Sequence, residues 1–355
     1  MRILSIVTLG IFLAAGPAFC GVVGSVSVGS LLTQADQVVV ATVRNSSSAG
    51  NTLSVDLVVS RTIKGDAIIG SSITATLSSP NVTVPAAGVL RMNGLISANL
   101  MVGRTGLWFL QQSGIEWLVL PLMSGDISSD DLYLPVHSVP LPPAFAYDAS
   151  AAPKTKLIQE IGAAAQDPTT VAAMSRLEAM GVFSDLGPDV LPMFAHLTVS
   201  PEMETMAMGL AGQIRLGTPS ALQAMVSSNI GIFPQDAQSQ LASSVCEYRN
   251  TDAGGIGALS VLLHPQYSNR MRACAVYALR EIHSPQTLPL LEKLLADSSA
   301  QIRYDALIGI AKFAVAFPTG VTDEMRQHYP SQGLFQKNEQ EYISYWKNWL
   351  AAHPR

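Results

Sequence analysis

Between residues 25 and 137, apolar positions recur at strand-like spacing. Val38 to Val43 is a β-branched run, and Leu53 to Ser60 alternates apolar with polar residues for much of its length. Ile73 to Leu77 alternates again. Leu107-Trp108-Phe109-Leu110 and Trp117-Leu118-Val119-Leu120 flank Ser113-Gly114-Ile115, which predicts a hairpin. Turns are expected at Asn45 to Asn51 and at Lys64-Gly65-Asp66. Residues Pro80 to Gly103 follow no period and are expected to form a long loop or a short helix. Several short strands at this spacing predict a small all-β barrel or sandwich.

Prolines cluster next, with Pro140, Pro142, Pro143 and Pro153 among small residues. Such a stretch is stiff and poor in backbone donors, so 138–153 is expected to be a linker. From Lys154 onward the period becomes helical. Leu157, Ile158 and Ile161 start a stripe that Val171, Met174 and Leu177 continue, followed by Met206, Leu210 and Ile214. Asp236 is the expected N-cap of a helix carrying Leu241, Val245 and Tyr248, and Gly254-Gly255 the expected break after it. Ser284-Pro285 predicts a cap followed by a first-turn proline, and Asp297-Ser298-Ser299 predicts a turn.

Within this helical half one segment occurs nearly twice. Met271-Arg272-Ala273-Cys274-Ala275-Val276-Tyr277-Ala278-Leu279 returns as Ile302-Arg303-Tyr304-Asp305-Ala306-Leu307-Ile308-Gly309-Ile310, offset by 31 residues. A fixed period of this size marks stacked supersecondary units, none of which can bury its apolar face alone. Residues 154–316 are therefore expected to form an α-solenoid of four or five helical pairs. In the last segment, 317–355, Tyr342, Tyr345, Trp346, Trp349 and Leu350 share one helix face. That stripe reads either as a cap over the exposed core or as a docking face for a partner, since Tyr and Trp favour interfaces.

Composition narrows the function classes. Of the 355 residues, 48% are apolar and only 13% charged, well under the usual figure of about 25%. The net charge is −5 and no Lys/Arg cluster occurs, so no nucleic-acid partner is expected. Met1-Arg2, the apolar run Ile3 to Ala15, the breaker Gly16-Pro17 and the small-residue site Ala18-Phe19-Cys20 follow the order of a cleaved signal peptide. The expected compartment is secreted or periplasmic, with no integral membrane segment after cleavage. Two cysteines then remain. Shifted by 31, Cys246 falls at position 277, one helical turn from Cys274, so a disulfide between neighbouring repeats and a pair of buried free thiols are both open.

The helical half resembles HEAT repeats, in particular the short bacterial type also found in phycobilisome lyases. The family motif sets an Asp in the intra-repeat turn and an Arg early in the second helix. Asp297 and Arg303 match both, whereas in the preceding unit Arg272 matches and Gln266 replaces the Asp. The resemblance implies that these side chains cross-link adjacent repeats. The β half resembles the netrin-type OB barrel of tissue metalloproteinase inhibitors, through Ala35 to Val43, Ile63-Lys64-Gly65 and Trp108-Phe109-Leu110. It lacks that family's cysteine framework.

No catalytic, cofactor or metal motif stands out, since the histidines show no ligand spacing and no P-loop or nucleophile elbow occurs. The expectation is an exported, non-catalytic binding or scaffold protein for a protein or peptide partner. Arg270, Arg280, Glu281 and the aromatic residues Tyr345, Trp346 and Trp349 are the candidate contacts. Two alternatives are an inhibitor-like β module, which requires Cys20 at the mature N-terminus, and an enzyme with its site in the groove between the two halves.

Overall fold

The computed structural model describes residues 24–49, 52–78, 101–124, 132–136, 140–315 and 322–353. The expected signal segment, Cys20 and nearly all of 80–103 lie outside them.

The β half comprises β1 (Gly24–Ser25), β2 (Gln37–Ala49), β3 (Thr52–Lys64), β4 (Ser72–Ser78), β5 (Thr105–Ser113), β6 (Glu116–Val119), β7 (Met123–Ser124) and β8 (Leu134–Pro135), with helix α1 (Val28–Gln34) between β1 and β2. Five strands close a barrel in the order β2-β3-β4-β6-β5, and β5 pairs back onto β2. All of these pairs are antiparallel except β4 with β6. Most of the stretch expected as a turn at 45–51 is strand: Asn45 to Ala49 continue β2, paired to β3 as far as Ala49↔Thr52.

Burial explains the sequence pattern of each strand. β3 alternates buried and half-buried positions along most of its length, because one face lines the barrel and the other meets solvent or polar partners. β2 and β5 are buried on both faces. Val39, Ala41, Trp108 and Leu110 fill the barrel, while Val38, Val40, Leu107 and Phe109 point outward into a second core. Strands covered on both sides read as unbroken apolar runs.

The helical half holds α2 (Pro153–Ala165), α3 (Val171–Ala179), α4 (Leu191–Leu197), α5 (Met203–Arg215), α6 (Pro219–Ser227), α7 (Gln235–Glu247), α8 (Ala253–Leu262), α9 (Asn269–Ile282), α10 (Leu288–Leu294), α11 (Ala300–Val315), α12 (Asp323–Gln327), α13 (Gln332–Lys337) and α14 (Glu339–Ala352). Five successive helix pairs follow along the chain, α2–α3, α4–α5, α6–α7, α8–α9 and α10–α11; in four of them the two helices pack directly on one another, while α6 packs chiefly on α8 and α5. The second helices form one continuous row, α3-α5-α7-α9-α11, each packed on the next. Ser284 caps the turn before α10, accepting from Gln286 N, and Asp297 Oδ1 accepts from Ser299 N at 2.8 Å in the predicted turn.

Two local expectations are corrected. Asp236 lies inside the first turn of α7, which starts after Pro234. Gly254 and Gly255 do not break the chain. They form the first turn of α8, capped by Asp252, whose carboxylate accepts from both amides. Gly255 is required there because a Cβ would fall 1.9 Å from the Tyr248 hydroxyl.

The proline-rich segment is packed, too. Phe145, in a 3-10 turn (Pro143–Phe145), is buried in the core that joins the outer face of β2 and β5 to α1, α2 and α4. A Cβ on Gly162 of α2 would collide with the Phe145 ring at 2.3 Å. The same joint carries a buried polar triad. Glu160 of α2 accepts from Arg61 Nε at 2.7 Å, Arg61 Nη2 at 2.8 Å and the Tyr147 hydroxyl at 2.6 Å. A fully buried carboxylate is tolerated because three donors replace its lost hydration. Burial and the adjacent carboxylate push the Tyr147 phenol well above its ordinary range.

Candidate functional site

The row of second helices presents a groove. One cavity of about 390 Å³ spans α3, α5, α7 and α9. Its floor is made of short side chains at helical spacing, Ala172, Ser175 and Ala179 on α3 with Ala237 and Ser243 on α7. Short residues on adjoining helices leave a trough where longer ones would fill it. Its rim carries Arg176, Glu204, Asp236 and Arg270.

A buried polar network stiffens the floor. Gln240 of α7 donates to Glu178 at 2.6 Å and to the Ser175 carbonyl at 3.2 Å, while the Ser175 hydroxyl donates to Gln240 Oε1 at 3.2 Å. Arg215 of α5 donates to Glu178 at 3.1 Å and also pairs with Glu247. Three consecutive second helices are thus tied through one carboxylate. Burial raises the Glu178 pKa, and the Arg215 charge opposes that shift. Glu178 is sealed beneath Gln240 with only 2% of its surface exposed, so it braces the groove rather than facing it.

A second cavity, of about 340 Å³, adjoins the first. It lies between the barrel and α3, lined by Arg104, Tyr133 and Pro135 on one side and Thr169, Ala172 and Arg176 on the other. Ala172 and Arg176 line both cavities, so one groove runs from the barrel rim to α9. Tyr133 is held by stacking on Trp108, with ring centroids 4.9 Å apart, over Gly106, where a Cβ would meet the Tyr133 ring at 2.0 Å. Its hydroxyl accepts from Arg104 at 3.4 Å. Asp167 fixes the α2–α3 turn, accepting from the Thr169 amide and hydroxyl, each at 2.7 Å.

Of the residues singled out by sequence, only Arg270 lines this groove, its guanidinium donating to Ser243 at 3.1 Å. Arg280 and Glu281 lie on α9 but are committed within the protein. Arg280 pairs with Asp305 at 2.9 Å and Glu281 at 3.0 Å and sits over the Tyr277 ring, and Glu281 also holds Lys312 at 2.5 Å. These four charges join α9 to α11, so neither residue is an available contact.

The aromatic docking face is also corrected. Trp346 is fully buried with its indole donating to the His328 carbonyl at 2.7 Å, and Trp349 is buried beside it. Tyr345 stacks on His328 at 3.7 Å. Packing of α14 against α11 turns the stripe inward and closes the end of the stack.

The repeat residues do cross-link. Arg272 donates to the Leu263 carbonyl of its own turn at 2.9 Å and pairs with Asp297 of the next unit. Arg303 repeats the device one unit on, donating to the Asp297 carbonyl at 2.6 Å and pairing with Glu339 at the start of α14. Cys246 and Cys274 form a disulfide between α7 and α9, with Cα atoms 4.3 Å apart, which removes the free-thiol reading.

Sequence reasoning missed Arg104, Arg176, Ser175 and Gln240. The only signal available was the run of small residues at i, i+3 and i+7 on α3. Among the described residues no group of three or more His, Cys, Asp or Glu side chains could hold a metal ion, and no helix is long and apolar enough to cross a membrane.

No known family profile matches the chain, and no curated protein does. Solved structures similar to part of it include designed and engineered proteins. They include a computationally designed armadillo repeat protein for modular peptide recognition, 17% identical, with a TM-score of 0.35 over 56% of this chain and 99% of that one. An engineered protein matches at 17% identity and TM-score 0.31, over 56% of this chain and 93% of its own. A designed armadillo repeat protein in complex with a (KR)4 peptide matches at 16% identity and TM-score 0.30, over 56% and 95%.

Proposed function

We propose that this chain is an exported, non-catalytic binding protein that takes an extended peptide segment of a partner in the groove along its second helices. The observation that carries this reading is the continuity of the groove. Two cavities share Ala172 and Arg176, and together they run from the barrel to α9 over a floor of short side chains stiffened from below. A rigid trough spares a bound peptide the cost of ordering its receptor. The helical pairs are read here as HEAT type, supported by the Arg272–Asp297 cross-link, and the barrel as OB type, supported by its five strands and closed Greek-key order. Export is supported by the disulfide, which persists in oxidising compartments, and by the N-terminal signal pattern.

The test is capture of partners from an envelope extract by the full mature chain, run beside Ala172→Trp. Ala172 is exposed on both cavities, so the indole fills the groove without entering the core. Partners retained by the native chain and lost by the variant are expected. A partner set unchanged by Ala172→Trp would place binding elsewhere. For export, fractionation of expressing cells should find the protein outside the cytoplasm, starting near residue 21. Retention inside with an intact N-terminus would remove that part of the reading.

A further inference from the structure

A cleft of about 440 Å³ lies where the α6–α7 and α8–α9 connections meet, and it shares no lining residue with the groove. Asn229 comes from the first connection and Gln266, Tyr267 and Ser268 from the second, with the buried Ile230 and Met271 as the apolar part. Several of these polar groups are unspent. Asn229 and Gln266 are exposed, and neither side-chain amide makes a hydrogen bond among the described residues, nor does the Tyr267 hydroxyl. Ser268 Oγ accepts from the Met271 amide at 3.2 Å, which leaves its hydrogen to donate. Gln238, on the same cleft, commits its Nε2 to the Phe233 carbonyl at 2.8 Å, which leaves its Oε1 to accept. The repeat explains why Gln266 is free. It stands 31 residues before Asp297, the turn carboxylate that Arg272 holds. The position 31 before Arg272 is Leu241, buried in the core, so the arginine that would hold this turn is missing. The Cys246–Cys274 disulfide fastens α7 to α9 instead.

We infer that this cleft binds a neutral saccharide, held by the Asn229 and Gln266 amides. Each sugar hydroxyl both donates and accepts, and a side-chain amide answers both with its NH2 and carbonyl on one planar group. A pyranose ring also carries an apolar C–H face. Tyr267, half-buried against the repeat core, together with Ile230 and Met271 supplies the matching surface. The described lining side chains are all uncharged, so they favour a neutral ligand over an ionised one, which would lose hydration without gaining a counter-charge. The volume falls within the range of about 300–1,000 Å³ usual for small-ligand sites and suits a mono- or disaccharide. A peptide main chain sets its donors and acceptors in a row, whereas here they come from two separate turns onto one cleft, as a ring with hydroxyls around its rim requires.

The probes are glucose, galactose, mannose, N-acetylglucosamine, maltose, lactose, cellobiose and chitobiose, with glucuronate and the blocked peptide N-acetyl-triglycine amide as comparators. Binding to the full mature chain is read by saturation-transfer NMR and titration calorimetry. At least one neutral saccharide is expected to bind more tightly than either comparator. Asn229→Ala with Gln266→Ala should weaken it about tenfold or more. The thermal melt of that variant should match the native protein, because both side chains are exposed and have no internal partner. Tyr267→Phe keeps the ring and should weaken binding less than the double variant. Ala172→Trp, which fills the groove, should leave saccharide binding unchanged. Absence of binding by every neutral saccharide would overturn the inference, as would an affinity that survives the double variant or is lost in Ala172→Trp. A comparator bound as tightly as the best saccharide would overturn it too, in favour of a peptide or an acidic ligand. Because the cleft and the groove share no lining residue, each of these failures leaves the peptide-groove reading standing.

Discussion

Tyr248 shows how one residue can be both required and costly. Its ring is fully buried in the repeat core, filling the space that Gly255 leaves at the start of α8. Its hydroxyl is buried there without a hydrogen-bond partner among the described residues. An unpaired buried hydroxyl costs about 1–3 kcal/mol, so Tyr248→Phe should be neutral or stabilising by up to roughly that amount in chemical denaturation. Gly255→Ala should be strongly destabilising for the converse reason. Burial, followed by the Asp252 charge, pushes the phenol from its ordinary 10 up to about 12. An acid whose folded pKa is raised stabilises the fold fully below its unfolded value. That contribution is lost as pH climbs through the folded value. Stability should therefore fall between pH 10 and 12, and Tyr248→Phe should blunt the fall. An identical alkaline profile in the variant would refute the assignment.

At the scale of elements, equivalent positions of the repeat do one job with different chemistry. Cys274 and Asp305 are 31 residues apart and occupy the same place in successive second helices. Cys274 is bonded back to Cys246 on α7, and Asp305 is paired back to Arg280 on α9. Both fasten a helix to its predecessor. The disulfide encloses 28 residues of separation, which in the loop-entropy picture stabilises by about 3.5 kcal/mol. Cys246→Ala with Cys274→Ala should lower stability by that order, and reducing the native protein should do the same. The Arg272–Asp297 pair should matter comparably. Its side chains are 7% and 12% exposed, and removing one leaves the other charge stranded, at a cost of about 3–5 kcal/mol for Arg272→Ala. Breaking the exposed Lys154–Asp189 pair should cost less than about 1 kcal/mol. Equal effects from the two substitutions would show that burial does not govern these links.

Over the whole molecule, the two halves are not separable modules. Leu157, Ile158 and Ile161 of α2 share one core with Val38, Val40, Leu107 and Phe109 on the outer wall of the barrel, and the Arg61–Glu160–Tyr147 triad is buried in the same joint. Removing residues before 154 would bare that apolar face and leave Glu160 without its partners. The fragment 154–355 is therefore expected to aggregate or to bind a hydrophobic dye strongly, while the full mature chain does neither. A soluble fragment with a native-like melt would show that the joint is dispensable.

Local pattern alone determined much of this protein. Strand and helix periods were legible because apolar spacing answers directly to which face of each element is buried. The repeat was legible because two copies keep the same residues at the same offset. The unbroken runs Val38 to Ala41 and Leu107 to Leu110 belong to strands covered on both sides, in contrast with alternating β3, a difference that became readable only with the burial of each face. What only the tertiary structure decided were matters of partner and direction. The aromatic stripe of α14 had the same spacing whether it closed a core or met a partner, and packing against α11 turned it inward. Arg280 and Arg176 are both helix-surface arginines in the sequence, yet one is spent on Asp305 and the other faces an open cleft. Short side chains on α3 and α7 became a groove only once those helices were stacked in one row, because a cavity belongs to the space between elements and no single segment encodes it.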